Sequence, residues 1–268
     1  MAEITGPLRF SGSISGMSCY WNSALKKWIL RTKGGANKNL IENNRAFART
    51  RENNVEFTEV NAWCHKVRVG LLDLDHLNYG YYMGDVVKVA KAIQLKDNIN
   101  GHGERNIESS KFKSMLTDIN FNEQYPFKKI LMHQPEVISD DERKDIIVNF
   151  FQFRPMYELA WRKNASHYRL ILTIAQLSDY ICGTKKEQPT AVHPDLSKGK
   201  ATVYSEWLST RETLPIDISL TASFRDEYIP ASDVTVMVGL GIEFGTEMGG
   251  NSYSWTKGDG TMAVIACL

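Results

Sequence analysis

Five groups of residues have types and spacings that could do chemistry. Gly239-Leu240-Gly241, followed by Gly245, has the outline of a phosphate-binding glycine loop. Such a loop works where a strand turns through its glycines into a helix, whose free N–H groups then face the phosphate. Here the glycines alternate inside an apolar run near the C-terminus with no helical pattern after them, so they are expected to make room for large neighbours. Ser23-Ala24-Leu25-Lys26 spells the S-x-x-K of a lysine-activated serine nucleophile, but that motif needs a helix start and two further signatures that this chain lacks. Cys64 and His65 are adjacent on a helical stretch that also holds His76. Neighbouring helix positions point about 100° apart. No C-x-x-C or H-x-x-x-H spacing accompanies them, so no zinc site is expected and Cys64 reads as a small packing residue. His102 and Glu104 lie in a glycine-containing loop, a common place for catalytic side chains. One histidine and one glutamate there read as a solvated turn. No catalytic set, metal site or cofactor is expected from these four groups.

The fifth group is basic and aromatic. In residues 1–51, nine basic side chains (Arg9, Lys26, Lys27, Arg31, Lys33, Lys38, Arg45, Arg49 and Arg51) face only Glu3 and Glu42, a balance of +7. The whole chain carries +1, so the remainder carries −6. A basic leading segment on an acidic body fits nucleic-acid contact, attraction between subunits, or folding back onto its own body. Arg45–Arg49 and Glu52–Glu56 are like-charge pairs at i, i+4, with Arg51 and Glu59 beside them. The arginines are read as aimed at an acidic surface of another subunit, against a merely solvated helical face. Trp28 interleaved with Lys26, Lys27 and Arg31 is a short form of the pattern used by single-strand binders. The expected intersubunit contacts are Phe10, Tyr20, Trp28, Arg31, Lys33, Arg45, Arg49 and Arg51.

These side chains must be positioned by the elements around them. Leu8, Phe10, Ser13, Ile14, Met17, Tyr20 and Trp21 form a β-prone run interrupted by Gly12 and Gly16, Asn22-Ser23-Ala24 is turn chemistry, and Lys26–Thr32 is a second strand closed by Gly34-Gly35. A lone hairpin is marginal in water, so it packs on its own domain or docks on a neighbouring subunit as an arm. Residues 34–44 read as an irregular linker. From Arg45, with Asn44 as cap, Val60, Trp63, Val67, Leu71 and Leu74 make one apolar stripe at helical spacing that ends near Leu77. A second helix is expected over Tyr82–Leu95, a loop over Asp97–Arg105, and a weaker helix over Ser109–Ile119. After that the period becomes two. Strands are expected over Phe127–Met132, Ile146–Phe153, Tyr168–Ile174, Val203–Leu208 and Met262–Cys267, with a polar loop over Cys182–Lys200. The two clearest strands are the alternating series Leu214 to Phe224 and Val234 to Phe244, read as half-buried.

The run Phe10–Tyr20 (FSGSISGMSCY), then Arg31–Gly35 (RTKGG) and Phe47–Phe57 (FARTRENNVEF), resembles an uncharacterised family of bacterial proteins of Bacteroidota type and similar length. Val238–Phe244 (VGLGIEF) is similar to that family too. The resemblance covers both ends of the chain and is loose between about Asp73 and Arg162. The family has no assigned activity, so the resemblance implies an architecture and no chemistry.

At 268 residues, 43% hydrophobic and 24% charged, the composition is that of a globular protein able to bury a core. No apolar run approaches the ~20 residues of a membrane span. No Sec-type signal is read at the N-terminus, and four scattered cysteines read as free thiols. A cytoplasmic site of synthesis is therefore expected, with release by a non-Sec route or incorporation into a particle left open. The fold class expected is α+β: a β-hairpin arm and linker (1–44), a helical segment (45–125) and an antiparallel, Greek-key-like β-sandwich (126–268). The function expected is a non-enzymatic assembly subunit of a filament, tube, shell or phage-like particle, with itself as partner through the arm. A nucleic-acid-binding protein using the basic first fifty residues is the alternative. An enzyme using the loops at 97–105 and 182–200 is the third.

Overall fold

Ser15 and Gly16 take φ angles of 48° and 77°, so the chain reverses inside the run that reads as a single strand. The computed structural model describes residues 2–3, 10–23, 25–32, 34–117, 119, 121–161, 165–183, 188–249, 252–255 and 258–268. Leu8, Arg9, Ala24 and Lys33 lie outside the described residues. The chain divides into two compact units, Met1–Arg51 and Glu52–Leu268.

The first unit contains strands β1 (Ala2–Glu3), β2 (Gly12–Ile14), β3 (Met17–Asn22) and β4 (Lys27–Thr32). They form an antiparallel four-stranded sheet in the order β1-β4-β3-β2. The expected hairpin is β3–β4; β2 and β1 flank it. Its turn is held by Asn22, whose Oδ1 accepts from Leu25 N at 3.0 Å. Ser23, Leu25 and Lys26 lie in a turn, so among the described residues the S-x-x-K match has no helical setting. The stretch expected as an irregular linker contains helix α1 (Lys38–Asn43), because Asn37 caps it and accepts from Leu40 N at 2.8 Å. Asn44 is a cap as expected, but for a 3-10 turn, Arg45–Phe47, that leads into helix α2 (Ala48–Gly70).

In the second unit, α2 from Glu52 onward, a 3-10 segment at Leu72–Leu77 and helix α3 (Met83–Gln94) cover one face of a six-stranded antiparallel sheet. That sheet comprises β7 (His167–Ser178), β10 (Lys200–Tyr204), β11 (Leu208–Ser209), β13 (Val234–Gly249), β14 (Ser252–Ser254) and β15 (Gly260–Cys267). Its other face packs on a three-stranded sheet in the order β12-β6-β5, made of β12 (Ile216–Ser223), β6 (Asp145–Phe153) and β5 (Glu136–Ser139). A short ladder joins β8 (Tyr180–Ile181) to β9 (Thr190–Ala191). The architecture is α+β, with helices added as a third layer on the sandwich.

Several local expectations are corrected. Phe127–Met132 contains a helical turn, α4 (Phe127–Ile130), that directly follows Pro126. Ser109–Ile119 holds two short 3-10 turns, Ser109–Lys111 and Lys113–Leu116. Val203–Leu208 is divided between β10 and β11. The loop at 182–200, of which 184–187 lie outside the described residues, contains β9 and a 3-10 turn at Leu196–Lys198. β12 is half-buried as expected, but β13 is buried on both faces from Val234 to Gly245.

The reason lies in the glycines. Val236, Val238, Leu240 and Ile242 face the three-stranded sheet, while Met237 and its alternate neighbours face the helices. A Cβ on Gly239 would stand 2.8 Å from Leu71 Cδ2, and one on Gly241 would stand 2.6 Å from Leu77 Cδ1. The glycines admit the leucines of the helical stripe, as the sequence predicts. Gly241→Ala should therefore cost about 1–3 kcal/mol through overpacking, read as a lower urea midpoint. An unchanged midpoint would mean that the leucine layer yields freely.

Candidate intersubunit surface

Residues paired across antiparallel strands share a face, and faces alternate along each strand. Trp21 pairs with Trp28, Cys19 with Leu30, and Met17 with both Thr32 and Ile14. Among the described residues this face carries no charged side chain. The tryptophan rings meet edge-on with centroids 5.8 Å apart. Cys19 is buried at the centre, yet Ile14, Met17 and Trp21 are 56%, 40% and 49% exposed. The opposite face pairs Tyr20 with Ile29, Ser18 with Arg31 and Asn22 with Lys27. There the Arg31 guanidinium stands 5.5 Å from the centroid of the Tyr20 ring.

The residues singled out from the sequence are therefore divided. Trp28 belongs to the neutral face, and Tyr20 and Arg31 to the basic one. Phe10 is half-buried just before β2, and Lys33 lies outside the described residues. Arg45 and Arg49 are exposed, on the 3-10 turn and on α2. Arg51 turns inward: Nη1 donates to the carbonyls of Ile41 (2.7 Å) and Asn44 (2.8 Å), satisfying the C-terminal end of α1. Ile14, Met17 and Trp21 were readable only as β-prone residues; their cross-strand register places them on one face with Trp28.

Two of the three glutamates in the arginine–glutamate group are not surface features. Glu56 and Glu59 have no solvent exposure. Burial alone would raise the Glu56 carboxyl, but Lys91 Nζ (2.5 Å), the Gly103 amide (2.9 Å) and Arg105 Nε (2.8 Å) donate to it and hold it at about 2. Among the described residues Glu59 has no cationic partner of that kind. Gln94 Nε2 (2.7 Å) and Ile107 N (3.1 Å) donate to it, but burial prevails and pushes it up to about 7. The same burial, with Glu59 beside it, pushes the Cys182 thiol up to about 12. The network pins the loop at 97–105 to α2 and α3.

The sign for Glu59 follows from its raised carboxyl. Its contribution is fully present below its ordinary 4.5 and is lost as pH rises through about 7. Between about pH 5 and about pH 8 the loss is about 2 kcal/mol. Melting temperature should fall over that interval, and Glu59→Gln should flatten the fall. Parallel profiles for the two proteins would show that Glu59 does not titrate there.

Another buried carboxylate, Glu243 on β13, is bound by His76 Nε2 at 2.9 Å and by Arg169 Nε. The Arg169 guanidinium lies 4.9 Å from the ring centroids of Tyr204 and Trp207. Every charge in this cluster has a partner that fixes it, so it acts as a latch between the 3-10 segment, β7 and β13. Cys64, also buried, has its thiol pushed up to about 12 by burial, which suits packing rather than reaction. Among the described residues no group of three or more His, Cys, Asp or Glu side chains could hold a metal ion, and no helix is long and apolar enough to cross a membrane. Compared with models of known protein families, with curated proteins and with solved structures, the chain matches none.

Proposed function

We propose that this chain is a non-enzymatic assembly subunit that self-associates, the N-terminal unit of one copy seating on the acidic body of another. The observation that carries this reading is the neutral sheet face, where Ile14, Met17 and Trp21 stand exposed beside Trp28 and Leu30. A clustered apolar face that includes tryptophan is what the core of a protein interface requires. Charge supports the choice of partner: the unit Met1–Arg51 coincides with the +7 segment, and Glu52–Leu268 carries −6. Opposite net charges favour encounter between copies and align the two surfaces. A filament, tube, shell or phage-like particle would each use such a contact.

The test is zero-length carboxyl–amine cross-linking of a mixture of ordinary and nitrogen-15-labelled protein. Mixed-isotope links from Lys26 or Lys27 to carboxylates in residues 52–268 are expected. Links that are always of one isotope would place the contact within a single chain and end this reading.

One observation favours a second reading, nucleic-acid binding. Tyr20, Lys27 and Arg31 share the opposite face, a small stacking platform flanked by cations. Binding of a fluorescent oligothymidylate that weakens steeply with salt would support it.

A further inference from the structure

We infer that the outer face of the β12-β6-β5 sheet is the seat that receives the N-terminal unit of a second copy. This rests on the self-association proposed above and names its other half. Val148, Phe150, Leu220 and Ala222 point into the core, so their alternate neighbours point outward. Glu136 and Ile138 on β5, Asp145, Ile147 and Phe151 on β6, and Asp217 on β12 stand on that outer face. The other outward positions are asparagine, serine or threonine, so the face has three carboxylates and no lysine or arginine. Two cations beside the start of β6 are engaged elsewhere. Lys144 binds Asp226, and the Arg143 guanidinium donates to the carbonyls of Val234, Ala231 and Leu268.

The sheet also departs from regularity where the face becomes apolar. Ile216 pairs with Phe153 and Ile218 with Phe150, so Phe151 and Gln152 together oppose Asp217. Gln152 takes a φ of 53°, a left-handed conformation unfavourable for a side chain, and its N–H donates to Asp217 Oδ1 at 2.7 Å. This bulge leaves Phe151 55% exposed and lies on the same face as Ile138, which is 43% exposed. Bulges re-aim side chains and are over-represented next to functional sites. Here the bulge holds an aromatic ring in water on a face that is otherwise acidic.

Apolar residues flanked by carboxylates complement a unit that offers Ile14, Met17 and Trp21 within a +7 segment. Nucleic acid would be repelled by the same carboxylates. Two cavities elsewhere on the second unit suit the basic unit less well. One of about 500 Å³ is lined by Lys128 and His133, and one of about 420 Å³ by His65 and Arg68.

The experiment uses the intact chain and measures its association constant by sedimentation velocity for wild type, Phe151→Ser and Glu136→Lys. Both positions are exposed, so melting temperatures should match wild type. Each substitution should weaken association about tenfold or more. If Phe151→Ser does not fold, Glu136→Lys decides alone. Wild type that associates while the folded variants associate equally well would place the seat elsewhere and leave self-association standing. A wild type that is monomeric at every concentration would remove both.

Discussion

Replacing Glu56 with glutamine should lower the unfolding free energy by about 3–5 kcal/mol, the usual cost of breaking a buried ion pair from one side. Glu56 is the shared acceptor for Lys91, Arg105 and the Gly103 amide, and it has no solvent exposure. A glutamine keeps the shape and can still accept one or two of those bonds, but it cannot neutralise two cations. Arg105 suffers most, because only 13% of its side chain reaches solvent. The loop at 97–105 would then open more often, and amide exchange should accelerate at Gly103 and Ile107 before the core responds. Glu59, one turn along α2, should behave oppositely at alkaline pH. Its carboxyl is held up at about 7, so glutamine there removes a buried group that would otherwise ionise. An unfolding free energy for Glu56→Gln, from urea titration, within about 1 kcal/mol of wild type would show that Lys91 and Arg105 find water or other partners at little cost.

Trp21→Glu should weaken self-association by about a hundredfold, as expected for a tryptophan at the centre of an interface. Trp21 is 49% exposed, so its loss should cost the folded chain little beyond its edge contact with Trp28. The new carboxylate would also meet the −6 body of the partner, adding repulsion to the lost area. Sedimentation equilibrium beside a melting curve separates the two effects. Unchanged association with an unchanged melting temperature would show that the neutral face is not the contact.

The parts of this fold legible in the sequence are those set by local spacing. Val60, Trp63, Val67 and Leu74 lie on one helical stripe and are all buried, and Gly239 and Gly241 receive the neighbouring leucines. β12 alternates as a half-buried strand should. What local spacing could not show depends on distant partners. Glu56 and Glu59 count as surface charge until Lys91, Gln94 and Arg105, more than thirty positions away, close over them. Likewise, β13 reads as half-buried because the helical layer on its other face is met through glycines, which carry no hydrophobic signal. The bulge at Phe151 and Gln152 is defined only by its register against β12. The division of Trp28 from Arg31 was readable, since positions three apart on a strand face opposite ways. That of Tyr20 from Trp28 needed the pairing itself.

The most direct measurement is multi-angle light scattering on the intact chain over a wide concentration range, at low and at high salt. Self-association through a +7 unit and a −6 body predicts masses above the 30.4 kDa of one chain at low salt, falling as salt screens the attraction. A single species of 30.4 kDa at every concentration and salt would contradict the account.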